Sequence, residues 1–142
     1  MTTPGTTRAP LRLRTGAVTV LLGDDRARSA LLADLDEQTA RCHGGHGLPG
    51  VVRLRFDAAL PAAERAQEVT ARDGLAVLLA DRPTAGLDDT GRRTVLRALR
   101  TVARGGAAVL VDDVDPVAAL AVADSALRVG ADGSLGVDDL SL

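Results

Sequence analysis

The sequence contains no lysine, no tryptophan and no tyrosine, and it has a single phenylalanine and a single cysteine. Each absence removes a class of chemistry. With Phe56 as the only aromatic residue, no platform exists for stacking a nucleobase or an adenine ring, and the core must be assembled from Ala, Val and Leu. One cysteine, Cys42, cannot close an intrachain disulfide, so nothing points to an oxidising compartment. No apolar run approaches the roughly 20 residues that span a bilayer, and residues 1–10 lack the apolar stretch of a signal peptide. A cytoplasmic location is the expectation. All 17 basic residues are arginine, a bias that a GC-rich coding sequence accounts for, and they are spread along a chain of net charge −2. The electrostatic footprint of a nucleic-acid binder is missing, and no nucleic-acid partner is expected.

What is present describes one soluble globular domain. The chain has 142 residues, 46% of them hydrophobic and 25% charged, enough for one core and too few for several catalytic modules. Residues 1–10, rich in Thr and Pro, read as a frayed tail, and residues 11–142 as a single domain. Leu11 and Leu13 alternate with arginines, and the apolar run Ala17–Leu22 ends at Gly23, as a strand entering a turn does. Asp24 and Asp25 then precede a helical spacing of Ala and Leu that predicts a helix over residues 26–41. A glycine-rich loop follows to Gly50. Val51–Phe56 alternates as a strand, with Val52, Leu54 and Phe56 on one face. Residues 61–72 predict a helix with proline in its first turn, and the continuous apolar run Leu75–Ala80 a strand buried on both faces. Asp88 or Asp89 caps a further helix that runs to about Ala103 and stops at Gly105. Ala107–Val111 is a buried strand, residues 116–123 a short helix, and Ala126–Val129 a last strand before a hairpin. Alternating strands and helices predict an α/β fold with a mainly parallel sheet.

The segment Leu78–Asp88, LLADRPTAGLD, resembles the Walker B strand and D-loop of the ATP-binding cassette (ABC) ATPases, whose pattern is four apolar residues and then D-E-P-T-S/A-G-L-D. Its neighbours agree in order and spacing. GAVTVLLG (Gly16–Gly23) looks like the strand leading into the family's Walker A loop, LPGVVRL (Leu48–Leu54) like the strand after the first helix, and LPAAERAQEVTAR (Leu60–Arg72) like the signature sequence and its helix. AAVLVDDVDP (Ala107–Pro116) is similar to the strand that carries the family's switch histidine. The resemblance covers about Leu11 to Gly133, with one gap: between Phe56 and Leu60, where the family places a glutamine loop and a helical subdomain, few residues intervene. It implies a P-loop-type α/β fold without that subdomain.

Set against the family's chemistry, four motifs depart. A phosphate loop G-x-x-x-x-G-K-S/T wraps phosphate with backbone N–H groups, neutralises it with lysine and holds magnesium with the hydroxyl. The corresponding stretch, GDDRARSA, keeps Gly23 and Ser29, lacks the second glycine and offers Arg28 where lysine stands. A guanidinium is a wide planar fork and not a compact point charge. Asp24 and Asp25 add negative charge at a helix N-terminus, where a phosphate would otherwise be stabilised; capping by Asp25 is their ordinary reading, a built-in phosphate mimic the sharper one. At Walker B, Asp81 remains a possible magnesium ligand, but Arg82 replaces the glutamate that polarises the attacking water, and a guanidinium accepts no proton. The signature L-S-G-G-Q/E reads Leu60, Pro61, Ala62, Ala63, Glu64, and Val114 occupies the histidine's place.

Two other groups are candidates. Cys42, His43 and His46 read as C-H-x-x-H, a pattern with three neighbouring ligands and not the spacing of a zinc knuckle. Asp112, Asp113 and Asp115 cluster at a strand end and could hold a divalent ion beside Asp81, or cap the helix at Pro116. The reading that combines these features is a hydrolysis-deficient cassette acting through protein contacts, as the silent half of a heterodimer with a competent ATPase or as a homodimer. Pro83, Thr84, Ala85, Gly86, Leu87 and Asp88 are the residues that the resemblance places at the dimer interface. The alternative is a nucleotide-binding, hydrolysing ABC transporter subunit that takes Mg·ATP on an irregular loop formed by Gly23, Arg28, Ser29 and Asp81.

Overall fold

A computed structural model describes residues 11–35, 40–42, 50–72, 75–132 and 134–139. The expected frayed tail at residues 1–10, and His43 and His46 with most of their loop, lie outside the described residues. The chain runs β1 (Leu11–Leu13), β2 (Val18–Gly23), α1 (Asp25–Asp34), β3 (Ala40–Cys42), β4 (Val51–Arg55), α2 (Ala62–Thr70), β5 (Val77–Asp81), α3 (Asp89–Arg104), β6 (Ala108–Asp112), α4 (Pro116–Ala119) with a 3₁₀ turn at Leu120–Val122, β7 (Ser125–Val129) and β8 (Leu135–Asp139). One six-stranded sheet has the order β4-β5-β6-β2-β7-β8, parallel except for the β7–β8 hairpin. β1 and β3 form a separate parallel pair. This is the expected α/β architecture with a mainly parallel sheet flanked by helices. Only residues 56–61 lie between β4 and α2, so the helical subdomain has no place in the chain.

The continuous apolar strands follow from burial on both faces. Leu78 and Ala80 of β5, with Val109 and Val111 of β6 and Val18 and Val20 of β2, pack under α2, α3 and α4. Their sequence neighbours Val77, Leu79, Leu110 and Leu21 face the other way, against Leu31 and Leu32 of α1 and Leu13 of β1. Every residue of β6 is buried, so alternation of polarity would have placed a polar side chain in a core. α3 is the amphipathic helix of the set: Val95, Leu96, Ala98, Leu99 and Ala103 point inward. Its N-cap is Asp88, whose carboxylate accepts the Gly91 N–H at 2.8 Å. Gly105 ends it as expected, although the left-handed residue is the next one, Gly106, at φ 117°.

The first helix is shorter than its spacing predicts. α1 ends at Asp34, Leu35 turns to an extended conformation, and Ala40–Cys42 forms β3 instead of a last helical turn. Beyond the buried Leu35, residues 36–41 offer no large apolar side chain to anchor further turns. The helix's last carbonyls are satisfied from outside: the Arg53 guanidinium on β4 donates to the Leu32 carbonyl at 2.9 Å and to that of Leu35.

Gly23 is required by the sheet. It lies at φ 109°, and a Cβ there would sit 2.2 Å from the Val129 carbonyl oxygen on the adjacent β7. Gly23→Ala is therefore expected to destabilise the protein by at least about 2 kcal/mol. Gly136→Ala, where a Cβ meets nothing within 4 Å, changes stability by less than about 0.5 kcal/mol. Urea denaturation of both variants reads the contrast, and similar midpoints would contradict it.

Candidate functional site

The carboxyl ends of the parallel strands gather the chemistry. Arg55 of β4, Asp81 of β5 and Asp112 of β6 stand side by side in register, on the sheet face that α1 covers. α1 reaches this edge almost without a loop. β2 ends at Gly23, α1 begins at Asp25, and Asp24 alone connects them.

That connector sets the electrostatics. Asp24 is the N-cap, and its carboxylate accepts the Ala27 N–H at 3.0 Å. The capping role expected of Asp25 thus belongs to Asp24, because Asp25 is already the first helical residue and its carboxylate turns back to Arg28 at 2.8 Å. Arg28, 5% exposed, also has Nη1 3.5 Å from the Asp112 carboxylate and donates to the Asp113 carbonyl at 3.3 Å. The guanidinium at the lysine-like position is held by two carboxylates and a carbonyl of its own chain. Burial pushes the Asp112 carboxyl up to about 6; Arg28 opposes the rise, and the neighbouring Asp81 adds to it.

The residues expected to act together are only partly assembled. Ser29 and Asp81 share an open cleft of 450 Å³ with Arg53, Arg55 and Arg82. Arg55 Nε lies 4.0 Å from the Asp81 carboxylate. Arg28 is turned away from this cleft toward Asp112, and Gly23 packs against β7. Arg82 has the left-handed backbone of φ 51°, which its N–H supports by donating to the Asp112 carbonyl at 2.7 Å, and its side chain is exposed.

The turn after β5 is tied to the loop after β6. Thr84 is fully buried; its hydroxyl donates to the Asp113 carboxylate at 2.7 Å and its N–H does so at 3.3 Å. The same carboxylate accepts the Val114 N–H at 2.8 Å. Of the turn residues, Pro83 and Thr84 are buried within the chain, Ala85 and Leu87 are half-buried, and Gly86 and Asp88 are exposed. The acidic set at the end of β6 divides into three jobs: Asp112 faces Arg28, Asp113 holds Thr84, and Asp115 caps α4 by accepting the Ala118 N–H at 3.1 Å. Among the described residues, no three His, Cys, Asp or Glu side chains converge as metal ligands.

Arg65 is the residue that sequence reasoning passed over. It lies fully buried on α2 and donates to three carbonyls, those of Leu60 at 2.7 Å, Pro83 at 3.0 Å and Ala58 at 3.0 Å. Its guanidinium carbon sits 5.9 Å from the Phe56 ring centroid. The available signal was its place four residues before Val69, on the apolar stripe of the helix.

No protein-family model matches the chain, and no curated protein matches it. Solved structures do match in fold. A dimeric ATP-binding cassette in a post-hydrolysis state, bound to ADP and Pi, superposes with a TM-score of 0.62 at 15% identity, over 93% of this chain and 89% of that one. A nucleotide-free ATP-binding cassette from an ABC transporter gives 0.60 at 10% identity, over 89% of this chain and 83% of that one. An ATP-binding subunit of an ABC transporter gives 0.57 at 13% identity, over 90% and 80%.

Two measurements check this geometry. Because the folded state holds the Asp112 proton up to about pH 6 and the unfolded state releases it near the ordinary carboxyl value of 3.8, folding takes up a proton between those values. Stability from this group is complete below the lower value and falls as pH rises through the upper, by at most about 3 kcal/mol. The difference in urea midpoint between the wild type and Asp112→Asn should vary across pH 4 to 7 accordingly; a constant difference would refute the assignment. Arg65→Met, which strands three carbonyls, is expected to cost about 2–4 kcal/mol by the same method.

Proposed function

We propose that this chain, which has the fold of an ATP-binding cassette, is a hydrolysis-silent cassette that acts through contact with a partner cassette or a second copy of itself. The observation that carries the reading is the one-residue connection between Gly23 and Asp25. A phosphate-binding loop needs a run of backbone N–H groups free to surround the anion. Here the Asp24 carboxylate takes one of the first free N–H groups of α1, and Arg28 is engaged by Asp25 and Asp112. A triphosphate would have to displace both carboxylates from the arginine, and like charges would meet it at the helix N-terminus. The residues present do not fit Mg·ATP.

The rest of the site supports the same reading. Arg82, which aligns with the family's catalytic glutamate, has no group that accepts a proton, so general-base assistance, worth roughly 10²- to 10⁴-fold, is missing. α2 begins behind Pro61, an N-cap without a side-chain hydrogen bond, where the signature motif offers a serine hydroxyl. Val114 brings no hydrogen-bonding side chain to the place of the switch histidine. A partner of cassette type is supported by the solved structures similar in fold, two of which are described as dimeric. The chain keeps the turn that such pairing would use, with Gly86 exposed at its tip. No described helix is long and apolar enough to cross a membrane.

Isothermal titration with Mg·ATP and a coupled phosphate-release assay test the proposal. Purified protein should give no saturable heat below about 1 mM nucleotide, where binding is weaker than about −4 kcal/mol, and no more phosphate than Asp81→Asn. Micromolar binding together with turnover that Asp81→Asn abolishes would restore the alternative of a working ATPase subunit with Gly23, Arg28, Ser29 and Asp81 at its phosphates.

A further inference from the structure

On the sheet face away from α1, helix α3 and the segment formed by α4 and its 3₁₀ turn enclose a second groove, of 560 Å³. Its floor is apolar: Leu96 from α3, and Ala118, Ala121 and Val122 from the facing segment. Its rim is cationic. Arg93, Arg97 and Arg100 recur at i, i+4 and i+7 along α3, a line about 10 Å long on one helix face, and Arg104 continues it by a further turn.

This concentration of charge opposes that of the molecule. The chain as a whole carries −2, whereas α3 carries five arginines and a single acidic residue, Asp89. Asp89 is taken by Arg92 at 3.0 Å and by Arg93, whose Nε donates to its carbonyl at 3.4 Å. Arg97, Arg100 and Arg104 make no ion pair with a described residue, and the α4 side of the groove contributes no acidic side chain. A helix face that merely meets water usually mixes both signs. Val122 closes the apolar floor beside Ala121.

The geometry points to a docking site for an acidic amphipathic helix of another polypeptide. Carboxylates at i, i+4 and i+7 of such a helix would meet Arg93, Arg97 and Arg100, and its apolar stripe would cover Leu96, Ala118, Ala121 and Val122. Arginine suits this task, because its planar fork binds a carboxylate through two parallel N–H groups. The site lies on the opposite sheet face from Arg28 and Asp81 and stands whether or not the strand ends accept nucleotide.

Fluorescence anisotropy with the full chain tests it. The probe is a dye-labelled synthetic helix of about 18 residues, with Glu at the matching positions and Leu on the adjoining stripe. Expected are saturable binding that weakens with salt, and a loss of about tenfold or more in Arg97→Glu/Arg100→Glu. A peptide with Lys in place of Glu should recover binding to that double variant. Circular dichroism melts verify folding, and Arg97→Glu alone, at an exposed position, serves if the double variant is unstable. The proposal is overturned if the wild type ignores the peptide, if a scrambled peptide or a DNA duplex binds as tightly, or if charge reversal leaves affinity unchanged.

Discussion

Between the end of β2 and the start of α1 there is room for Asp24 and nothing else, and most of what distinguishes the strand-end site follows from that spacing. A connection this short brings the first turn of the helix down onto the sheet edge. The fourth helical residue, Arg28, then reaches the carboxyl end of β6, where Asp112 lies buried. The same shortness makes Asp24 the N-cap and leaves Asp25 free to bind Arg28 from within the helix. In a longer loop the helix N-terminus would present unpaired N–H groups to an incoming anion. Here a cap carboxylate takes one of those groups, and the nearest cation is neutralised by residues of the same chain.

Arginine also does work that other proteins assign to several residue types. Arg65 joins Ala58, Leu60 and Pro83 through three carbonyls; Arg53 closes the end of α1 through Leu32 and Leu35; Arg28 joins α1 to the loop after β6. Five donors in a fixed plane allow one side chain to satisfy several backbone acceptors at once, which lysine's single ammonium does less well at such separations. With one aromatic ring and a core of small aliphatic residues, the chain has little bulk with which to pin its loops. Polar clamps at Arg65 and at the Thr84–Asp113 pair supply that constraint, the second through a hydroxyl bond of 2.7 Å to a buried carboxylate.

The sheet was legible in the sequence because its signal is strong: apolar runs such as Leu75–Ala80 and Ala107–Val111 are buried on both faces, and their order with the helices specifies a parallel α/β fold. Element ends were less so. Helical spacing extended α1 to Arg41, but residues 36–41 lack a large apolar side chain, Arg53 bonds the carbonyls of Leu32 and Leu35, and Ala40–Cys42 pairs in parallel with Leu11–Leu13. The bonds of Arg53 and the strand pairing are tertiary effects that no local pattern contains. At the site, sequence identified the residues but not their partners. Ser29 and Asp81 do share a cleft, yet Arg28 faces Asp112, and the acidic trio that looked like a metal cluster divides among an ion pair, a loop clamp and a helix cap. Arg65 carried a weak signal, its place on the stripe of Val69, but its three carbonyl partners lie on the preceding loop and on the turn after β5, and no helical spacing names them.

The balance of forces at Asp112 bears on why such a site persists. Desolvation raises its proton affinity more than Arg28 lowers it, and the nearby Asp81 and Asp25 carboxylates add to the rise. The pairing of Arg28 balances this charge from within the chain. With Asp25 and Asp112 on either side of Arg28, the carboxyl edge of the sheet is neutralised from within and needs no bound anion to balance its cation. A working phosphate site has the opposite property, because its cation and its helix N-terminus stay unsatisfied until the ligand arrives. At the strand ends Arg28 is thus paired within its own chain, whereas Arg97, Arg100 and Arg104 on α3 make no ion pair with a described residue.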